Sequence, residues 1–225
     1  KVKFSPIQLR KNPKKKNIML DIPDPPTTEN IEFDQDIASS VDLSKSKSIF
    51  CFHNEICYLL LESRSTDPQT GSNIKKNYLF SLSPKGSKPS YKWESISPLP
   101  FGYREGQSVT STSSSLVFFG GIEDAVLYND LWMITNSKKW FCIGTDIPAR
   151  YDHAACSDSH GNLVIYGGRG SAKAGCFNDL YLVKFAQQEV TEIQFPGIDL
   201  PYLTSHSLTL LDDGTFFLIG LDAKR

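Results

Sequence analysis

The sequence predicts an all-β protein built from a repeated unit of four short antiparallel strands, the pattern of a propeller blade. Three observations carry this. A run of apolar residues ends in a glycine pair twice, at Gly120-Gly121 and Gly167-Gly168, 47 residues apart. An Asn-Asp-Leu-aromatic block follows each pair, Asn129 to Trp132 and Asn178 to Tyr181, with the Asn residues 49 apart. A fourth β-rich segment and a proline-bearing turn then close each unit, so one unit occupies about 50 residues.

Taken in order, the first unit opens with strands at Ile49–Phe52 and Ile56–Leu61, joined by a turn at His53-Asn54-Glu55. Glu62-Ser63 stands where the glycine pair belongs. A long loop leads to Asn77-Tyr78-Leu79-Phe80, and the unit ends at Trp93–Ile96 before Pro98 and Pro100. The second unit runs from Gln107–Thr110 through Gly120-Gly121 and Trp132 to Trp140–Ile143 and Pro148. The third runs from His153–Cys156 through Gly167-Gly168 and Tyr181 to Val190–Ile193, Pro196 and Pro201. A fourth begins at Tyr202–Leu210, turns at Asp212-Asp213-Gly214 and continues through Phe216–Gly220. The expected boundaries are an extension over 1–46, then blades at about 47–100, 101–148, 149–200 and a partial one at 201–225.

The glycine pairs, Trp132 with Trp140, and Arg150-Tyr151-Asp152-His153 opening a unit make residues 47–225 resemble the kelch repeat. The resemblance implies a kelch-type β-propeller, incomplete in this chain, with four-stranded antiparallel blades. The departures are the missing glycine pair of the first unit, the missing late Trp of the third, and Gly220-Leu221 in the fourth. Physics supports the same reading. A glycine pair lets the backbone bend where strand two ends, and large aromatics fill the space between twisted sheets. Gly120, Gly121, Trp132, Trp140, His153, Gly167, Gly168 and Tyr181 are therefore expected to be structural. His153 and His206 hold equivalent places in two units, which points to scaffolding hydrogen bonds. Three and a half blades leave sheet faces uncovered, so the chain is expected to continue past Arg225, or a partner or second copy to complete the ring.

Other chemistries fit poorly. Gly170 and Gly175 have P-loop spacing, but Cys176-Phe177 follows instead of Lys-Ser/Thr, and then a strand. Gly168-x-Gly170 meets Lys173 where a dinucleotide loop needs glycine. Cys51-x-His53-x3-Cys57 has a metal look, yet no second ligand pair follows at zinc-site spacing. No cofactor or metal is expected. Five cysteines at irregular spacing argue for a reducing, intracellular compartment, cytoplasmic or nuclear. The net charge of −1 over 225 residues gives no bias toward nucleic acid, and no apolar run reaches membrane-spanning length.

The extension differs. Lys1 to Lys16 holds seven basic and no acidic residues, whereas Asp21 to Asp42 holds seven acidic and no basic ones. It reads as a polar, mostly extended and irregular lead-in. Lys14-Lys15-Lys16 offers a short basic patch, weak support for nuclear targeting or nucleic-acid binding.

In such a blade the strand 2–3 loops and the inter-blade connections share one face. Arg64, Lys75, Lys76, Arg104, Arg150, Arg169 and Lys173 fall in those segments. They are expected to bind a protein partner, including acidic peptide motifs. A kelch resemblance mostly implies an adaptor or scaffold subunit without catalysis. Some kelch-like propellers are copper or sugar-handling enzymes, but the four histidines here do not gather in one loop region. The alternative is a targeting arm for an enzyme whose catalytic domain lies outside this chain, as in wybutosine-type methyltransferases.

Overall fold

The computed structural model describes residues 31–32, 46–67, 69–84, 91–96 and 98–223. Most of the charged extension, including Lys14-Lys15-Lys16, lies outside these residues. All regular structure among them is β. The first sheet contains β1 (Ile31–Glu32), β2 (Lys47–His53), β3 (Ile56–Thr66), β4 (Asn73–Pro84) and β5 (Tyr91–Ser95), in the order β1-β5-β4-β3-β2. The second contains β6 (Ser108–Ser111), β7 (Ser115–Phe119), β10 (Leu131–Thr135) and β11 (Trp140–Ile143); β8 (Ile122–Glu123) and β9 (Val126–Leu127) form a separate ribbon. The third contains β12 (Ala154–Ser157), β13 (Leu163–Tyr166), β14 (Leu180–Lys184) and β15 (Glu189–Glu192). β16 (Leu203–Leu210) and β17 (Phe216–Asp222) pair alone. These are the antiparallel four-stranded sheets expected of propeller blades, with half a blade at the end.

The first sheet has one strand more than expected. β1 lies parallel to β5, with Ile31 opposite Tyr91 and Glu32 opposite Lys92. An outer strand leaves a row of backbone donors and acceptors unpaired, and this two-residue piece of the extension meets part of that row.

The second strand of each blade explains the stacking. In β7 all five residues are buried, and in β13 all four. Successive side chains point to opposite faces, so a strand covered on both faces reads as a continuous apolar run. Leu116 and Phe118 pack with Leu60 and Leu79 of the first sheet, together with Phe101, Trp132 and Trp140. Val117 and Phe119 pack with Leu163, Ile165 and Val183 of the third. Val164 and Tyr166 in turn meet Leu203 and Leu208 of the last pair of strands. Trp132, Trp140 and Tyr181 pack, partly buried, against these clusters.

Strand register corrects one alignment. Leu131 pairs with Phe119, Leu180 with Tyr166, and Leu79 with Leu60. The residues following Phe119, Tyr166 and Leu60 are equivalent, so Leu61-Glu62, rather than Glu62-Ser63, occupies the place of the glycine pair. In the second and third blades both glycines adopt positive φ and the strand ends there. Leu61 and Glu62 do not, so β3 and β4 continue as a hairpin to Thr66 and Asn73.

Candidate functional site

The strand 2–3 connections and the inter-blade segments do share a face. Backbone bridges join Glu105 to Ile122 and Tyr151 to Arg169, tying each incoming connection to the loop of its own blade. Three elements stand on this face: the extended β3–β4 hairpin, the β8–β9 ribbon and the 169–176 loop. His160, 83% exposed in its side chain, lies in the turn between β12 and β13 at the other end of its blade.

The seven loop cations have different fates. Arg150 is fully buried. Its guanidinium makes a bidentate pair with Asp179 at 2.6 and 2.9 Å, donates to the carbonyls of Gly167 and Pro148, and stacks over Phe177 at 4.2 Å. Arg104, 46 residues earlier, repeats this geometry with Asp130 at 2.6 and 3.2 Å, the Gly120 carbonyl, and Tyr128 under the guanidinium at 4.0 Å. The expectation that Arg104 and Arg150 belong to an exposed binding surface is corrected: both close the blade from inside, where a desolvated fork-to-carboxylate pair excludes other anions. Burial pushes the Asp130 carboxyl up, but Arg104 and the Trp132 indole N–H outweigh it and hold it below the usual range.

Arg64 pairs with Glu105 and donates to the Tyr103 hydroxyl, while Lys75 pairs with Asp124 across to the ribbon. These contacts brace the hairpin against the second blade. Lys76 lies over its neighbour Tyr78 at 4.9 Å. Arg169 approaches Asp152 only at 4.0 Å and is 45% exposed, and Lys173 has no ionic partner among the described residues. Arg169 and Lys173 are therefore only weakly engaged by other charges of the chain.

His153, His206 and His53 each engage groups of the scaffold. His153 meets the Ser108 hydroxyl at 2.8 Å and stands edge-on to Phe119; burial pushes its pKa down to about 3. His206 Nε2–H donates to the Tyr166 carbonyl at 2.9 Å. His53 meets Ser111 at 2.9 Å and Asn136 at 2.8 Å, joining the first two blades. Cys57 pairs in register with Phe52, one residue on from Cys51, so the two cysteines face opposite sides of the sheet. The Cys51-His53-Cys57 set is not gathered at one point.

Sequence reasoning missed Glu62. It is 3% exposed; Oε2 accepts from the Gly106 N–H at 3.3 Å and Oε1 has no partner. Burial is the main reason its pKa rises from 4.5 to about 7; Glu105 and Asp152 add to this, while the Gly106 N–H and Lys47 oppose it. The unfolded chain gives up this proton first, so the stability contributed is complete below pH 4.5, declines as pH rises, and is lost above about 7. His153 acts in the opposite sense, its buried neutral ring costing stability as pH falls below 6.5. The difference between parent and Glu62→Gln isolates the carboxyl. In urea titrations between pH 4 and 8, the variant is expected to gain stability relative to the parent as pH rises. A difference independent of pH would contradict the assignment.

A family model described as the KLHDC2/KLHL20/DRC7 Kelch-repeats domain matches residues 106–225, just over half of the chain. Among curated proteins, Dynein regulatory complex subunit 7 of Chlamydomonas reinhardtii is 40% identical over 87 residues, which is 36% of this chain and 7% of that protein. Acyl-CoA-binding domain-containing protein 5 and protein 4 of Arabidopsis thaliana are 38% and 32% identical over 127 residues, 54% of this chain and 19% of each relative. The chain thus spans a small part of the length of these relatives.

Proposed function

This chain belongs to the kelch-repeat family, and from that premise we propose that it is a protein–protein interaction module, an adaptor or scaffold element of a larger intracellular complex. The observation that carries the reading is the bracing of one face. Ion pairs from Lys75 to Asp124 and from Arg64 to Glu105 tie the hairpin to the ribbon and to the second blade's incoming connection, and Ile74 and Val126 are exposed on these two elements. A surface ordered before binding loses little conformational entropy when a partner arrives. The named role of one relative in a dynein regulatory complex supports a subunit role inside the cell.

We read the module as non-catalytic. His153 and His206 are engaged with scaffold groups, and Arg104 and Arg150 are engaged with Asp130 and Asp179. A second reading, a targeting arm for another domain, is favoured by relatives whose names specify an acyl-CoA-binding domain and of which this chain matches 19%.

The test compares the two ends of the blades. A variant carrying Ile74→Asp, Val126→Asp and Lys173→Glu is expected to lose at least about tenfold in partner capture from the source tissue. A variant in the opposite turns, Lys138→Glu with His160→Glu, is expected to retain capture. Both should melt like the parent, because all five positions are exposed. Equal capture by the two variants would remove the loop face from consideration.

A further inference from the structure

Between the β8–β9 ribbon and the 169–176 loop runs a groove of about 390 Å³. Ile122, Ala125, Leu127 and Tyr151 form its apolar lining, and Arg169, with Ser171 and Cys176, forms the side toward the third blade. Lys173 extends from the tip of the same loop and is exposed. Apolar lining and a cationic rim define an occupant with an apolar side chain and an adjacent carboxylate.

The ribbon adds a backbone feature. Ile122 exchanges both backbone hydrogen bonds with Glu105, so its N–H and C=O point away from β9. Along an antiparallel strand hydrogen-bonding direction alternates residue by residue. Ile122 and Leu127 are opposite each other in the register, which makes them a non-hydrogen-bonded pair. The N–H and C=O of Leu127 therefore point outward, along the free edge of the ribbon. Asp124 and Ala125, both at positive φ, make the two-residue turn that fixes this register. An added strand on this edge sends alternate side chains over the mouth of the groove.

Resting on the interaction reading above, we propose that this groove seats one extended peptide segment of a partner protein. The segment pairs with the Leu127 backbone, places an apolar side chain against Ile122, Leu127 and Tyr151, and sets a carboxylate against Arg169. Because Arg169 holds Asp152 only at 4.0 Å with both side chains well exposed, exchanging that contact for a partner's carboxylate costs little.

The probe is a phage-displayed library of linear, unstructured peptides selected on the full chain, with the enriched peptides then synthesised. The expected result has three parts. Enriched sequences share an apolar residue next to Asp or Glu. Arg169→Glu weakens binding by at least about tenfold, and a peptide with Lys replacing its acidic residue regains it on that variant. Hydrogen exchange shows the Leu127 amide gaining protection when peptide is bound. Arg169→Glu is made at a half-exposed side chain, and an unchanged melting temperature confirms that it folds. Peptides that bind Arg169→Glu equally well, or leave the Leu127 amide exchanging at its free rate, overturn the groove while leaving an interaction module in place. Enrichment of no linear peptide also overturns it, and the comparison of loop-face and opposite-turn variants then decides the broader reading.

Discussion

Replacing Arg150 by methionine is expected to lower the unfolding free energy by about 3–5 kcal/mol, the cost of breaking a buried ion pair from one side. The side chain of Arg150 is 0% exposed and that of Asp179 16%, so water cannot replace the lost fork. The carbonyls of Gly167 and Pro148 lose donors in the same step. Arg104→Met is expected to cost less, about 1–3 kcal/mol. Asp130 is 28% exposed and keeps the Trp132 indole N–H at 2.7 Å. Arg150→Lys should fall between the parent and Arg150→Met, because an ammonium keeps the charge but cannot span two carboxylate oxygens and two carbonyls. Adding Asp179→Leu to Arg150→Met should recover much of the loss by removing the stranded carboxylate. Urea unfolding of the five proteins checks the order. Equal losses at Arg104 and Arg150, or a loss below about 1 kcal/mol at Arg150, would mean the pairs do not clamp the blades.

The repeated arrangement was largely legible before the structure. In β7 and β13 the four residues before the glycine pair are apolar or aromatic because both faces are covered, and each glycine pair marks where that strand stops. What the chain pattern could not separate was exposed cations from buried ones. Arg104 and Arg169 both sit beside loops in the sequence, and only the folded register brings the first over Tyr128 and onto Asp130. Glu62 escaped notice for a related reason. Its place is defined by the pairing of Leu79 with Leu60 rather than by any motif of its own, and a lone acidic residue between two strands reads as a loop. The groove beside Leu127 was less legible still, because its edge depends on hydrogen-bond direction, which composition does not encode.

Gly120→Ala is expected to be as damaging as loss of Arg150, for a reason that lies in the backbone. Gly120 has φ of +66°, and a Cβ there would come within 2.5 Å of the Arg150 carbonyl oxygen. That oxygen already accepts the Gly121 N–H at 2.8 Å, so it cannot retreat without breaking the bond that joins second and third blades. Left-handed backbone alone costs an L-residue about 1–3 kcal/mol, and displacement of a packed connection adds to it. Gly168→Ala should behave similarly, since at φ of +94° its Cβ would meet the Tyr151 carbonyl oxygen at 2.8 Å and His153 Cβ at 2.7 Å. Gly144 provides the control. It has no positive φ and open space around its Cβ position, so Gly144→Ala should be neutral or slightly stabilising through the unfolded chain. Melting temperatures of the three variants, measured side by side, distinguish the two situations. If Gly120→Ala and Gly144→Ala melted together, the glycine pair would be a passive turn. If only Gly120 and Gly168 resist a methyl group, the glycine pairs are places where backbone passes too close for any side chain, Gly120 against the next blade's connection at Arg150 and Gly168 against its own blade's connection at Tyr151 and His153, which fits the continuing hairpin of the first blade, where the pair is absent.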